Sequence, residues 1–264
     1  MQLIPLPAFA DNYIWLLHTA TEAVVVDPGD AKPVFSWLKQ HPHVRLKAIL
    51  VTHHHADHVG GVAELQAHTL ADVYAPSREC QQLMANRVTD GQTLQLLEHT
   101  WDVLDVPGHT AGHVAYVCHS QPMHLFCGDT LFGAGCGRLF EGTPTQMAHS
   151  LQRLKALPAD TLVCPAHEYT LSNLAFACAV EPNEPALNQR LESDRHLREL
   201  GQPTLPSTLQ QEADTNPFLR THLPAVQTAA AHWAQTQPSA NPADATLDAE
   251  TRCFARLREW KNRF

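Results

Sequence analysis

The sequence predicts an α/β sandwich, with sheets in the middle and helices outside, followed by a smaller all-helical region. Three observations point there. Strand-like and helix-like segments interleave over the first two-thirds of the 264 residues, the pattern of helices packed on buried sheets. Past residue 167 the composition turns helical and no further strand is expected. Histidine and aspartate also recur directly after strand-like runs, where open α/β sheets place their chemistry. The expected units are residues 1–167 and 168–264.

The elements follow in order. Residues 2–6, 13–18 and 22–27 read as strands, and Glu22-Ala23-Val24-Val25-Val26-Asp27 runs into a turn signal at Pro28-Gly29-Asp30. Val34-Phe35-Ser36-Trp37-Leu38 has the spacing of an amphipathic helix. Lys47-Ala48-Ile49-Leu50-Val51 has the length and β-branched content of a buried strand, set at 47–52, with a helix expected at 61–68. Strand signals recur near 93–98, 102–106, 113–118 and 123–127, then a helix near 145–156 and a last strand at 161–164. Segments 170–179, 184–200 and 244–262 are helical in composition, separated by proline-rich punctuation at 203–206 and 236–242.

Composition narrows the function classes. Hydrophobic residues make up 44% of the chain, ordinary for a globular protein of a size that can bury a full core. No apolar stretch approaches the length of a membrane span. The start, Met1-Gln2-Leu3-Ile4-Pro5, lacks the basic and apolar regions of a signal peptide, so a cytoplasmic protein is expected, with a monomer as the default. The seven cysteines form an odd set without a C-x-x-C pair, which favours reduced, buried thiols over a disulfide framework. A formal net charge of −9 and the lack of a long basic run argue against nucleic acid as a partner.

The run Thr52-His53-His54-His55-Ala56-Asp57-His58-Val59-Gly60-Gly61 concentrates the chemistry. Its H-x-H-x-D-H pattern follows a strand, and imidazole with carboxylate suits zinc, iron or manganese. A merely solvated histidine loop needs neither the aspartate nor the two glycines, which let backbone approach closely as the next helix begins. Three more candidates stand at strand ends: His109 in Val106-Pro107-Gly108-His109-Thr110, Asp129 in Cys127-Gly128-Asp129-Thr130, and His167 in Cys164-Pro165-Ala166-His167. Alone, each could be a turn or capping residue. Their shared placement raises them together.

The set H-x-H-x-D-H, G-H-T-x-G-H, G-D-T-L-F and H-E-Y-T resembles the metallo-β-lactamase superfamily, and more narrowly the glyoxalase II (hydroxyacylglutathione hydrolase) family. Asp11-Asn12-Tyr13, the run from Gly128 to Arg138, and Thr215-Asn216-Pro217-Phe218-Leu219-Arg220 extend the likeness over nearly the whole chain. The resemblance implies a four-layer αββα sandwich and two divalent metal ions, zinc first, with iron or manganese as alternatives. It implies His53, His55 and His109 on one metal, Asp57, His58 and His167 on the other, and Asp129 bridging. Two cations roughly 3.5–4 Å apart share a hydroxide nucleophile, which Asp57 would orient. His54 and His113 fall outside this set, as supporting or merely solvated groups.

The implied reaction is hydrolysis of S-(2-hydroxyacyl)glutathione, chiefly S-D-lactoylglutathione, to glutathione and D-lactate, the second step of methylglyoxal detoxification. Rival readings are a glutathione persulfide dioxygenase or a lactonase on the same scaffold. Binding glutathione's carboxylates in an acidic protein requires a local basic patch. Arg258 and Lys261 in the tail match glutathione-contacting positions of the family, as do Arg138 and Tyr169. Without the resemblance, those tail charges would read as a solvated helix end. Phe140 stands where relatives often carry tyrosine, which places one expected glutathione hydrogen bond in doubt.

Overall fold

A period of two decides what each strand buries. The computed structural model describes residues 1–237 and 246–264. In β2 (Asn12–His18), Trp15 and Leu17 face a second sheet, while Ile14 and Leu16 face outward onto helices. β3 (Glu22–Val26) splits likewise, with Val24 and Val26 inward and Val25 outward. Strands apolar on both faces belong in the interior of a layered fold, and that is where these lie.

The first sheet runs β1 (Gln2–Ala8), β2, β3, β4 (Arg45–Leu50), β5 (Asp72–Pro76), β6 (Asn86–Val88), antiparallel up to β3 and parallel beyond. The second comprises β7 (Thr93–Leu96), β8 (His99–Asp105), β9 (Val114–Cys118), β10 (His124–Gly128), β13 (Leu162–Pro165) and β14 (Ser207–Thr208), while β11 (Leu131–Phe132) and β12 (Gly135–Cys136) form a small hairpin of their own. Trp15, Trp101, Tyr116 and Phe126 fill the space between the sheets, each such side chain contributing about 1.5–3 kcal/mol by leaving water. Outside the first sheet, α1 (Ala31–Gln40) and α3 (Val62–Thr69) bury Val34, Trp37, Val62 and Leu65. Outside the second, α4 (Pro144–Lys155) packs with the helical region through Met147, Leu151, Phe176, Phe218, Phe254 and Leu257.

That helical region comprises α5 (Thr170–Val180), α6 (Pro185–Glu199), α7 (Leu209–Thr215), α8 (Pro224–Gln235) and α9 (Ala249–Arg263), with a 3-10 turn at Pro217–Leu219. Asp248 caps α9 by accepting from the amides of Glu250 and Thr251, orphan donors at a helix start. The expected helix at 244–262 begins outside the described residues, as does most of the punctuation at 236–242; within them α9 starts at Ala249.

Two expectations need correction. The region after 167 is not free of strand: Ser207 and Thr208 pair antiparallel with Val163 and Leu162, a ladder too short to leave a periodic signal. Also, β5 and β6 extend the first sheet where no strand was expected, because each is short and β5 runs into Pro76. A four-residue α2 (Ala56–Val59) precedes the helix expected at 61–68.

Candidate metal centre

Four strands of the two sheets end at one edge of the sandwich. Beyond β4 the chain delivers His53, His55, Asp57 and His58; beyond β8, His109; beyond β10, Asp129; beyond β13, His167. Gly128 makes the turn before Asp129 at φ +48°, with Thr52 Oγ1 only 2.4 Å from where a Cβ would stand. A side chain there meets both left-handed backbone and a filled site.

All seven candidates converge, in two groups of ligand atoms. One holds His53, His55, His109 and Asp129; the other holds Asp57, His58 and His167; within each group the atoms lie within 4.8 Å of one another. Asp129 faces both, with Oδ2 3.3 Å from His109 Nε2 and Oδ1 3.5 Å and 3.4 Å from the Nε2 atoms of His58 and His167.

Oxygens from outside the cluster set the ring orientations. His109 Nδ1 donates to the Arg138 carbonyl at 2.9 Å, and His167 Nδ1 meets Asp11 Oδ1 at 2.8 Å. Asp27 accepts from the amide and hydroxyl of Thr52 and lies 3.0 Å from His58 Nδ1. The Thr52 hydroxyl in turn stands 3.0 Å from His53 Nδ1. Each arrangement turns Nε2 toward the centre, the usual device for presenting an imidazole to a cation once its proton has left. His55 instead points Nδ1 inward, 3.0 Å from His53 Nε2 and 3.1 Å from His109 Nε2.

The donor set fits a pair of divalent cations. Three ring nitrogens crowd together where one shared proton satisfies at most one contact. His58 Nε2 and Asp129 Oδ1 are buried without a hydrogen-bond partner, a costly arrangement for groups with nothing to bind. Burial, then the neighbouring His58, holds His53 well below its ordinary pKa. Burial also depresses His55 and His109, so the first group consists of neutral imidazoles around an ionised carboxylate. In the second, burial opposes charge on His167, but Asp129, Asp57 and Asp11 outweigh it and push the ring up to about 10. A cation entering there replaces that proton.

Beside the centre lies a cavity of about 600 Å³, lined by His109, Asp129 and Phe132 at one end and by Arg138, Arg258 and Lys261 at the other. Tyr169 lines it too, stacked on His167 at 4.8 Å, and Phe140 sits edge-on to His109 at 5.2 Å with most of its ring exposed. Arg258 is buried rather than a solvated helix end: it donates to the Cys136 carbonyl at 2.7 Å and lies over Phe218. Lys261 donates to the Ser172 carbonyl at 2.9 Å. Burial, then Arg258 and Arg138, lowers its pKa to about 8.

Residues 9–167 match the family model of the metallo-beta-lactamase superfamily, and residues 168–264 match that of the hydroxyacylglutathione hydrolase C-terminus. The hydroxyacylglutathione hydrolase of Albidiferax ferrireducens is 54% identical over the full length of both chains. The chain belongs to the hydroxyacylglutathione hydrolase family. Among solved structures, the di-iron-bound form of TTHA1623 aligns with a TM-score of 0.58 at 28% identity, over 82% of this chain and 100% of that one. ETHE1 from Myxococcus xanthus shares the fold, with a TM-score of 0.65 at 23% identity over 96% of this chain and 100% of its own.

In this member of the hydroxyacylglutathione hydrolase family, several supporting side chains escape sequence reasoning. Asn12 donates to Asp57 Oδ2 at 3.0 Å, so the Asp11-Asn12 pair braces one residue of the second group each. Asp27 carries a signal only in hindsight, as a carboxylate between a strand and Pro28-Gly29. Glu79 accepts from the amides of His54 and Gly112, and Glu141 from His54 Nε2 and the Ala111 amide. Together they clamp the two loops that carry His53, His55 and His109. His54 is the handle of that clamp. His113 is fully buried rather than solvated, stacks on His53 and accepts from the Asp129 amide at 3.2 Å.

Proposed function

We propose that this chain hydrolyses S-(2-hydroxyacyl)glutathione thioesters, with S-D-lactoylglutathione the substrate to test first. The reading rests on one observation above all: the cavity reached by His109 and Asp129 of the cation-binding cluster is also lined by three cationic side chains, Arg138, Arg258 and Lys261. Glutathione carries two carboxylates at a distance from its sulfur, so a cationic wall apart from the reacting centre suits it. In this reading residues 1–167 form the catalytic unit and 168–264 the unit that binds glutathione.

His53, His55 and His109 would hold one divalent cation, Asp57, His58 and His167 the other, and Asp129 both. Zinc suits this nitrogen and oxygen set, as do iron and manganese. When bound, such a pair supplies a nucleophilic water at neutral pH and polarises a carbonyl oxygen. The chain does the rest. Asn12 holds Asp57 turned inward to orient the water, and the outer carboxylates Asp11 and Asp27 hold two imidazoles in register. Arg138, Arg258 and Lys261 fix the glutathione carboxylates, while Tyr169 and Phe140 flank the thioester's approach. Phe140 offers a ring but no hydroxyl. A thiolate leaves readily, so the chain needs no strong general acid.

The deciding assay follows loss of thioester absorbance and appearance of free thiol with metal-loaded protein. Turnover of S-D-lactoylglutathione is expected, with two metal equivalents per chain. A fully loaded sample that leaves this thioester intact would overturn the assignment.

A further inference from the structure

The segment from Gly128 to Arg138 joins the two ends of the cavity, with Asp129 at its start and Arg138 at its end. Between them lies the β11–β12 hairpin, and the helical region grips it. Asn216, fully buried, donates through Nδ2 to the carbonyls of Phe132 and Gly135 at 3.2 and 2.9 Å. Glu212, equally buried, accepts the Ala134 amide at 2.8 Å, at a residue held in left-handed backbone with φ 52°. Asn173 donates to the Gly133 carbonyl at 3.0 Å. Four successive residues of the hairpin are thus each held by a side chain from α5, α7 or the turn after it.

Displacement of the hairpin would pass directly to the metal centre. The Gly137 amide donates to the Thr130 carbonyl, and a Cβ on Gly137 would stand 1.9 Å from the Asp129 carbonyl, so the two backbones lie in contact. The next residue, Arg138, supplies the carbonyl that orients His109. Glu212 is itself fixed by Arg190 and Ser207, each at 2.6 Å, so the grip has a rigid anchor.

We propose that Asn216 and Glu212, supported by Asn173, are positioning residues for Asp129 and His109. The helical region then organises the metal centre as well as binding substrate. This rests on the dinuclear reading above. A network that only adds stability would lower the melting temperature and leave metal affinity untouched. One that positions ligands must change affinity in folded protein; groups bonded directly to metal ligands are typically worth about 10–100-fold, and a side chain acting through the hairpin backbone belongs at the low end of that range.

The test titrates zinc into metal-stripped parental protein and Asn216→Ala, both checked for folding by near-ultraviolet circular dichroism. Two equivalents are expected in the parental chain, with at least one bound about tenfold or more weakly in Asn216→Ala. Asn173→Ala removes a single carbonyl contact, should show a smaller weakening, and carries the test if Asn216→Ala does not fold. Parental affinity for both equivalents in whichever variant folds overturns the proposal alone. Fewer than two equivalents in the parental chain overturns the dinuclear reading and this proposal with it.

Discussion

The two ends of the cavity are built by opposite means. At the metal end, short side chains leave the termini of four strands, and His58, His109 and His167 each face an oxygen from another loop. At the cationic end, Arg258 and Lys261 reach across from one helix and rest on backbone carbonyls and aromatic faces. A sheet edge holds backbone rigidly enough for coordination, which tolerates little displacement. Long cationic side chains on a helix adapt to carboxylates whose exact placement matters less. The difference teaches that the two ends should fail differently, one in turnover and metal content, the other in substrate affinity.

The largest effect should come from the residue that faces both cation groups. Asp129→Ala is expected to lose one metal equivalent and lower kcat by roughly 10³-fold, about 4 kcal/mol in the barrier. Elemental analysis beside steady-state kinetics would show it, and two retained equivalents would dissolve the contrast between the ends. A milder version comes from Asp27→Asn, which leaves every expected ligand in place but loses the carboxylate beside Thr52 and His58. Metal affinity should fall about 10–100-fold, with KM unchanged once metal is saturating. A KM that rose instead would tie this brace to the wrong end.

At the other end, Arg258→Ala combined with Lys261→Ala should raise KM roughly 10–100-fold, the effect of losing one or two hydrogen bonds to a charged group. Metal content should stay at the parental value and kcat within a few-fold. An unchanged KM would remove α9 from the substrate site.

The same contrast governs what could be read from the sequence. His53, His55, Asp57 and His58 stand within six residues, and His109, Asp129 and His167 each follow a strand run, so local pattern finds them. The sandwich was legible for a related reason: continuous apolar runs such as Val24-Val25-Val26 interleave with helix-like segments along the chain. Asp27 and Glu79 were not legible, because their role depends on partners 25 residues away, and Asn12, though inside a motif the sequence singled out, takes its role only from Asp57, 45 residues on. β14 was invisible because two paired residues carry no period. The burial of Arg258 was missed since helical spacing places a residue on a face without saying what covers it. Asn216 lay inside a motif the sequence singled out, yet only the hairpin it grips gives that motif a role.

The smallest expected effect sharpens the cationic end further. Burial and two neighbouring arginines lower the Lys261 pKa to about 8, so the side chain is a cation below that pH and loses its charge above it. The sign follows directly: a group that attracts carboxylate only when protonated weakens binding as pH rises. KM for the glutathione thioester should therefore climb above about pH 8, by up to about tenfold for one lost charged contact. Lys261→Arg keeps its charge throughout this range, so the climb should vanish in that variant even if its baseline KM differs. A climb that persists in Lys261→Arg would assign the titration to another group and leave Arg138 and Arg258 as the charges that matter.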